Sequence, residues 1–235
     1  MTSLRDSIPI KGFVETSFLD WPGKIASVIF LPSCNFRCPY CQNSRLIVEP
    51  HLLETIPLSQ ILKRLEAFKD WIDGVCITGG EPTLHKTLPE LIRAFKERNF
   101  LVKLDTNGSN PQMVETLLQQ ELLDCIAMDV KAPLTEHSYS RLIGVPVDLN
   151  KIRQCIELIH ESPVEGIFRM TIVPGMLTEE DVYRVAKELF PAKHFILQQF
   201  SPGNTLDPKL KEVSPWPQEE LDRIQKKVNQ MLKGG

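Results

Sequence analysis

The chain has 235 residues, of which 42% are hydrophobic and 24% charged, with a formal net charge of −3 at pH 7. That length and balance fit a single soluble domain with a substantial core. They exclude a broad nucleic-acid surface, which needs a basic excess, and no apolar run approaches a membrane span. The opening MTSLRDSIPIKGFVETS carries no apolar stretch of signal-peptide length, so the expected location is cytoplasmic, with neither nucleic acid nor membrane as a partner.

The first predicted strand is KIASVIFL (24–31), followed at once by LPSCNFRCPYCQN (31–43), which packs Cys34, Cys38 and Cys41 into a C-x3-C-x2-C spacing. Helical period appears in 58–68, where Leu58, Ile61, Leu62 and Leu65 share a face. Strand GVCIT (74–78) leads to the helix 88–98, with Leu88, Leu91, Ile92 and Phe95 on one side. Strand FLVKLDT (100–106) leads to the helix 111–120, with Val114, Leu117 and Leu118. Strand LDCIAMDV (123–130) precedes a helix over 149–160 carrying Leu149, Ile152, Ile156 and Ile159. Strand GIFRMTIV (166–173) is followed by LTEEDVYRVAKELF, where Thr178 and Asp181 have capping-box spacing. The sixth strand, HFILQQF (194–200), precedes a Pro-rich stretch and a last helix near 217–232.

The strands are β-branched or aromatic-rich without clean polar alternation, as in strands covered on both faces. Six alternations of strand and helix indicate parallel βαβ units, too few for a closed eight-stranded barrel. The expectation is an α/β fold with an open six-stranded parallel sheet: a (β/α)6 partial TIM barrel or a doubly wound sheet, in one domain. In such folds ligands sit beyond the C-terminal strand ends. The polar and glycine motifs fall there: SCNFRCPYC, GGEP, DTNG, MDVK, PG and QQF.

Six cysteines in a reducing compartment argue against a disulfide framework. Cys76, Cys125 and Cys155 lie in apolar segments and read as buried small hydrophobes. The clustered three leave a fourth ligand position open. A structural zinc site completed by His51 or His85 is one way to fill it. Three thiolates from one short loop suit instead three corners of an iron–sulfur cubane, whose fourth iron then binds a substrate or cofactor.

C-x3-C-x2-C with Tyr40 before the last cysteine resembles the signature of radical S-adenosylmethionine (SAM) enzymes. The resemblance implies a radical SAM core over about residues 20–205, with a C-terminal loop and helix over 206–235. It implies a [4Fe-4S] cluster on Cys34, Cys38 and Cys41, with SAM chelating the open iron and undergoing reductive cleavage to a 5′-deoxyadenosyl radical. Gly79, Gly80 and Glu81 (in TGGEP) resemble the segment that receives the methionine amino group; glycines let backbone carbonyls approach an ammonium closely. Asp129 and Lys131 are two apart on an extended strand and point the same way. By resemblance Lys131 pairs with the SAM carboxylate and Asp129 approaches the ribose or amino end; a surface salt bridge is the plainer alternative. Asp105, Thr106, Met128 and Asp129 resemble a monovalent-cation site of glycyl-radical activating enzymes. Arg169, in FRMTIVPG, resembles an arginine lining the co-substrate pocket, or is an ordinary snorkelling side chain.

The closest resemblance is to the activating proteins of anaerobic ribonucleoside-triphosphate reductase, through KGFVETSFLDWPGKIASVIFLPSCNFRCPYCQN (11–43) with its Asp20, Pro22 and Gly23 element. It implies a glycyl radical enzyme as partner and a flavodoxin or ferredoxin as electron donor. The chain departs from the pattern in two places. Gln42 stands where a histidine commonly follows the third cysteine; it keeps hydrogen-bonding capacity but cannot carry a proton. The sixth strand ends in Gln198 and Gln199, without the histidine that relatives place near adenine. The alternative reading is a radical enzyme acting on a pterin- or nucleotide-derived small molecule.

Overall fold

The computed structural model describes residues 8–234; Met1–Ser7 and Gly235, and with them the first part of the N-terminal segment read above, lie outside the described residues. In chain order the elements are β1 (Gly12–Ser17), β2 (Ala26–Leu31), α1 (Ser44–Val48), α2 (Leu58–Ala67), β3 (Gly74–Gly79), α3 (Leu88–Lys96), β4 (Leu101–Thr106), α4 (Pro111–Gln119), β5 (Cys125–Asp129), α5 (Glu136–Ile143), α6 (Leu149–Glu161), β6 (Glu165–Ile172), α7 (Glu179–Glu188), β7 (Phe195–Gln199) and α8 (Gln218–Lys233). The seven strands form one sheet whose order follows the chain. The expected α/β class with a parallel-dominated sheet is found, and each of the six predicted strands is present. Among the described residues no helix is long and apolar enough to cross a membrane.

The chain divides into two compact units. The first comprises residues up to Cys34 with Arg45–Thr106 and Gln112–Ile126; the second comprises Asn35–Ser44, Asn107–Pro111 and everything from Ala127 on. In the first unit β2, β3 and β4 are parallel, with Val28 opposite Cys76 and Cys76 opposite Lys103. Their residues are buried on both faces, which is why β2 and β3 read as apolar runs rather than alternations. Helices α2 and α3 bury Ile61, Leu65, Leu91, Ile92 and Phe95 against this sheet, each such side chain stabilising by roughly 1.5–3 kcal/mol. Strand β1, absent from the sequence reading, pairs antiparallel with β2 and covers its edge. Gly74 opens β3 where a Cβ would stand 2.6 Å from the Leu101 carbonyl and 2.8 Å from the Trp21 ring, so a side chain there has no room.

In the second unit β6 and β7 are parallel, Phe168 opposite Phe195, and the Val130 amide donates to the Arg169 carbonyl at 2.9 Å. Helix α7 starts with the capping box expected from its spacing, Thr178 and Asp181 each bonding the other's backbone amide. Helix α8 takes the place of a further strand beside β7. The Gln225 side chain accepts from the Leu197 amide at 2.7 Å and donates to the Phe195 carbonyl at 2.8 Å, satisfying edge groups that would otherwise invite another strand. Arg223 on α8 grips Glu179 on α7, and Lys227 lies 4.0 Å over the Tyr183 ring. The C-terminal helix therefore packs on its own chain.

Candidate cofactor site

The cysteine loop of the second unit, Asn35–Ser44, is held at Arg37 and at Pro39. Arg37 donates its amide to the Ile143 carbonyl at 2.8 Å, at the C-terminus of α5. The helix ends there on Gly144 in the left-handed region (φ +70°), where a Cβ would lie 2.5 Å from the Arg37 carbonyl oxygen. Pro39 accepts from the Asp207 amide at 2.8 Å. Across the second anchor the Cys41 amide bonds the Cys38 carbonyl at 3.0 Å, a turn that sets the two cysteines side by side. Asn35 is locked to the DTNG segment: Asn107 Nδ2 donates to Asn35 Oδ1 at 3.0 Å, and Asn35 Nδ2 to Ser109 Oγ at 2.8 Å.

The first unit supplies the approach to Cys34. Gly79 sits at φ +125°, and a Cβ on it would lie 2.2 Å from the Leu31 carbonyl oxygen; one on Gly80 would lie 1.8 Å from the Ser33 carbonyl oxygen. Only glycines permit this approach, and it is fastened by hydrogen bonds from the Gly80 amide to the Leu31 carbonyl at 2.8 Å and from the Glu81 amide to the Ser33 carbonyl at 2.7 Å. The Gly-Gly-Glu corner is thus fixed against the residues leading into Cys34. Glu81 is buried, and its Oε1 accepts from the Thr83 amide at 3.1 Å and from the Thr83 and Thr106 hydroxyls at 2.5 and 2.8 Å. Its carboxylate anchors the turn that follows the glycines. His85, weighed above as a zinc ligand, has Nε2 2.8 Å from the Pro32 carbonyl oxygen.

In the second unit Asp129 stands between two cations: Lys131 Nζ lies 3.1 Å from its Oδ2 and Arg169 Nε 3.0 Å from its Oδ1. The side chains of Lys131, Arg169 and Asp129 are only 13%, 15% and 24% exposed, so this is no surface salt bridge, and Arg169 is not simply snorkelling. Burial pushes the Asp129 carboxyl up, but Arg169 and then Lys131 outweigh it and hold it at about 2. Burial likewise opposes the Lys131 ammonium, and Asp129, then Tyr40 and Cys38, raise it well above the ordinary lysine value. Burial pushes the Cys38 thiol up while the Lys131 charge draws it down. The Lys131 amide donates to the buried Tyr139 hydroxyl at 3.3 Å.

The structure brings Cys38, Tyr40, Asp129, Lys131 and Arg169 into one electrostatic group. Gln42 is exposed and donates to the Ser201 carbonyl at 3.4 Å. Gln199 donates to the Trp216 carbonyl at 2.6 Å, and its Oε1 is buried with no hydrogen-bond partner among the described residues. Asp105 is paired with Lys103 on its own strand. Cys76, Cys125 and Cys155 are buried as expected, but the Cys76 sulfur also lies 3.6 Å from Lys103 Nζ. The sequence reading missed Tyr139, Asn35, Asn107 and Lys103; a Thr135 cap and Gly144 around 136–143 were the available signal for Tyr139.

The donor set fits an iron–sulfur cluster. Among the described residues Cys34, Cys38 and Cys41 form no disulfide. Burial raises the Cys38 thiol and the Lys131 charge partly offsets it, with the Tyr40 hydroxyl buried in the same group. No three His, Cys, Asp or Glu side chains among the described residues gather as ligands of a single ion; a cubane asks instead for one thiolate on each of three irons.

The family model described as the radical SAM superfamily matches residues 28–189. A Methanocaldococcus jannaschii protein provisionally named a glycyl-radical enzyme activating enzyme is 36% identical over 231 residues, covering 93% of this chain and 92% of its own. The pyruvate formate-lyase-activating enzyme of Clostridium pasteurianum is 24% identical over 240 residues, covering 95% of this chain and 98% of its own. Streptococcus suis SuiB bound to S-adenosylmethionine superposes with a TM-score of 0.64 at 18% identity, over 88% of this chain and 49% of that one, a likeness of fold alone. Membership in the matched family implies a [4Fe-4S] cluster and SAM. With its cysteine loop, its glycine corner and a match spanning most of its length, the chain belongs to the radical SAM superfamily and is an enzyme of that type.

Proposed function

We propose that this enzyme generates a glycyl radical on a partner protein, and that the partner is an anaerobic ribonucleoside-triphosphate reductase. The observation that carries the activase reading is the 36% identity, over 93% of the chain, to a protein named for glycyl-radical enzyme activation. The choice of reductase rests on the segment from Lys11 to Asn43, including Asp20, Pro22 and Gly23 ahead of the cysteine loop.

In this reading Cys34, Cys38 and Cys41 hold the cluster, which when bound supplies the electron that splits SAM into methionine and a 5′-deoxyadenosyl radical. Gly79 and Gly80 bring backbone carbonyls close to the SAM ammonium. Lys131 offers its buried ammonium to the SAM carboxylate, while Arg169 keeps Asp129 ionised when Lys131 is shared with the ligand. Tyr40 closes the cluster loop against water, and Gln42 borders the cluster where relatives carry histidine. The electron is delivered by a flavodoxin or ferredoxin.

The test is anaerobic electron paramagnetic resonance. The reconstituted protein, a reductant, SAM and the candidate reductase subunit are expected to give a glycyl radical doublet that vanishes when any one component is left out. SAM cleavage stimulated by a pterin or nucleotide metabolite, with no radical on the reductase, would instead establish the small-molecule reading.

A further inference from the structure

The sequence resemblance places a monovalent cation on Asp105, Thr106, Met128 and Asp129. The side chains of this chain do not fit it. Lys103 and Asp105 are two apart on β4 and so share a face of the strand. Lys103 is 1% exposed at its side chain and Asp105 9%, and the ammonium is bonded directly to the carboxylate. Cys76, opposite Lys103 on the neighbouring parallel strand, adds its sulfur at 3.6 Å from Nζ. An ammonium taken this far from water is stable only with such partners. The Thr106 hydroxyl proton is committed to Glu81 at 2.8 Å. In the second unit Met128 is fully buried, packed where a Cβ on Gly108 would stand 2.1 Å from its methyl carbon. Asp129 is compensated by Lys131 and Arg169.

Counting charge within each group gives zero for Lys103 with Asp105, and one surplus positive for Asp129 with Lys131 and Arg169. A metal ion arriving at Asp105 must either displace Nζ, stranding a buried ammonium, or settle beside a pair that is already neutral. Both are unfavourable.

We infer that the Lys103 ammonium takes the part of that cation: the protein carries its counter-ion on its own strand and binds no sodium or potassium at Asp105. This holds whichever protein or metabolite gives up the hydrogen atom, because it concerns only how the chain compensates its own carboxylate.

Thermal unfolding of the full chain in choline, sodium and potassium chloride at equal ionic strength tests it. The wild type is expected to unfold within about 1 °C of the same temperature in all three salts, where each kcal/mol of ion binding would shift the midpoint by about 2–4 °C. Calorimetric SAM affinity of the reconstituted protein should likewise be the same in the three. Lys103→Met leaves the Asp105 carboxylate buried without its tethered partner. In choline it is expected to lose about 6–20 °C, and to recover part of that in sodium or potassium. The double variant Lys103→Met/Asp105→Asn should show no such recovery. A specific rise of the wild-type midpoint or SAM affinity with sodium or potassium overturns the inference. So does a folded Lys103→Met that ignores the ion, because the carboxylate would then not be a cation position. If Lys103→Met does not fold, the wild-type comparison decides alone. A protein that binds no SAM at all would refute the proposed function while leaving the unfolding comparison intact.

Discussion

Replacing Asp129 by asparagine removes the charge that holds Lys131 and Arg169 together while keeping the shape of the side chain. Its carboxyl sits at about 2 in the folded protein against an ordinary value of 3.8. A shift of that size, at 1.36 kcal/mol per unit, makes ionised Asp129 worth about 2 kcal/mol to the fold. The folded value is depressed, so the contribution is complete well above 3.8 and is lost as pH falls through about 2. With those two values about 1 kcal/mol of it has gone by pH 3. Urea unfolding of wild type and Asp129→Asn at pH 7, 5, 4 and 3 reads this directly. The difference in unfolding free energy is expected to be about 2 kcal/mol at pH 7 and 5, and to narrow to about half of that at pH 3. Lys131 and Arg169, which face Asp129 from its own chain segment and from β6, stay charged throughout this range, and Tyr139 beside them stays neutral. A difference that stays constant from pH 7 to 3 would mean that the pair energy does not come from ionisation. No destabilisation at pH 7 would mean that water replaces the carboxylate at no cost, and the buried ion-pair reading would fall.

Alanine at Cys34, Cys38 or Cys41 is expected to abolish a stable four-iron cluster after anaerobic reconstitution, whereas alanine at Cys125 or Cys155 should keep full iron content with only a packing loss; iron analysis and the visible spectrum distinguish them. Lys131→Ala should preserve the cluster and weaken SAM binding about 10- to 100-fold, the range for losing a hydrogen bond between charged groups, as read by calorimetric titration. Gly144→Ala must hold a left-handed backbone at about 1–2 kcal/mol and also push on the Arg37 carbonyl, so it should lower both the unfolding midpoint and the iron bound per chain; an unchanged iron content would free the α5 terminus of any part in shaping the cysteine loop.

Much of this arrangement was legible because burial writes itself into period. The core strands, covered on both faces, read as apolar runs, and α7 announced itself through Thr178 and Asp181. Strand β1 left no such mark: Val14, Glu15 and Thr16 are exposed, and GFVETS becomes a strand only by pairing with β2. Helix α5 is two turns long and buries only Tyr139, Leu142 and Ile143, too few positions to establish a period. The lysine at 103 reads as a solvated strand residue, and its burial follows from a bond to Asp105 that no hydropathy pattern records. The interlock of Asn35 with Asn107 and Ser109 joins segments over seventy positions apart in the chain, and only the fold discloses it.

Two strands carry an acid and a lysine at the same two-residue spacing, and their differing surroundings separate their tasks. On β4 the lysine at 103 and Asp105 are nearly sealed from water and cancel one another, leaving no net charge for a ligand. On β5 and just beyond, Asp129 and Lys131 are joined by Arg169 from β6, and the trio keeps one positive charge in excess. An anionic ligand would gain from the second arrangement and not from the first. Arg169 is the difference. Because it bonds the Asp129 oxygen that Lys131 does not, Lys131 can turn toward a carboxylate without leaving Asp129 buried and unpaired. Under the proposed function the arginine is therefore the residue that makes the lysine available. Arg169→Met should then weaken SAM binding in calorimetric titration although Lys131 is intact, and the double variant with Lys131→Ala should be no weaker than Lys131→Ala alone. Additive losses would mean that each cation meets the ligand independently, and the shared-partner argument would be wrong.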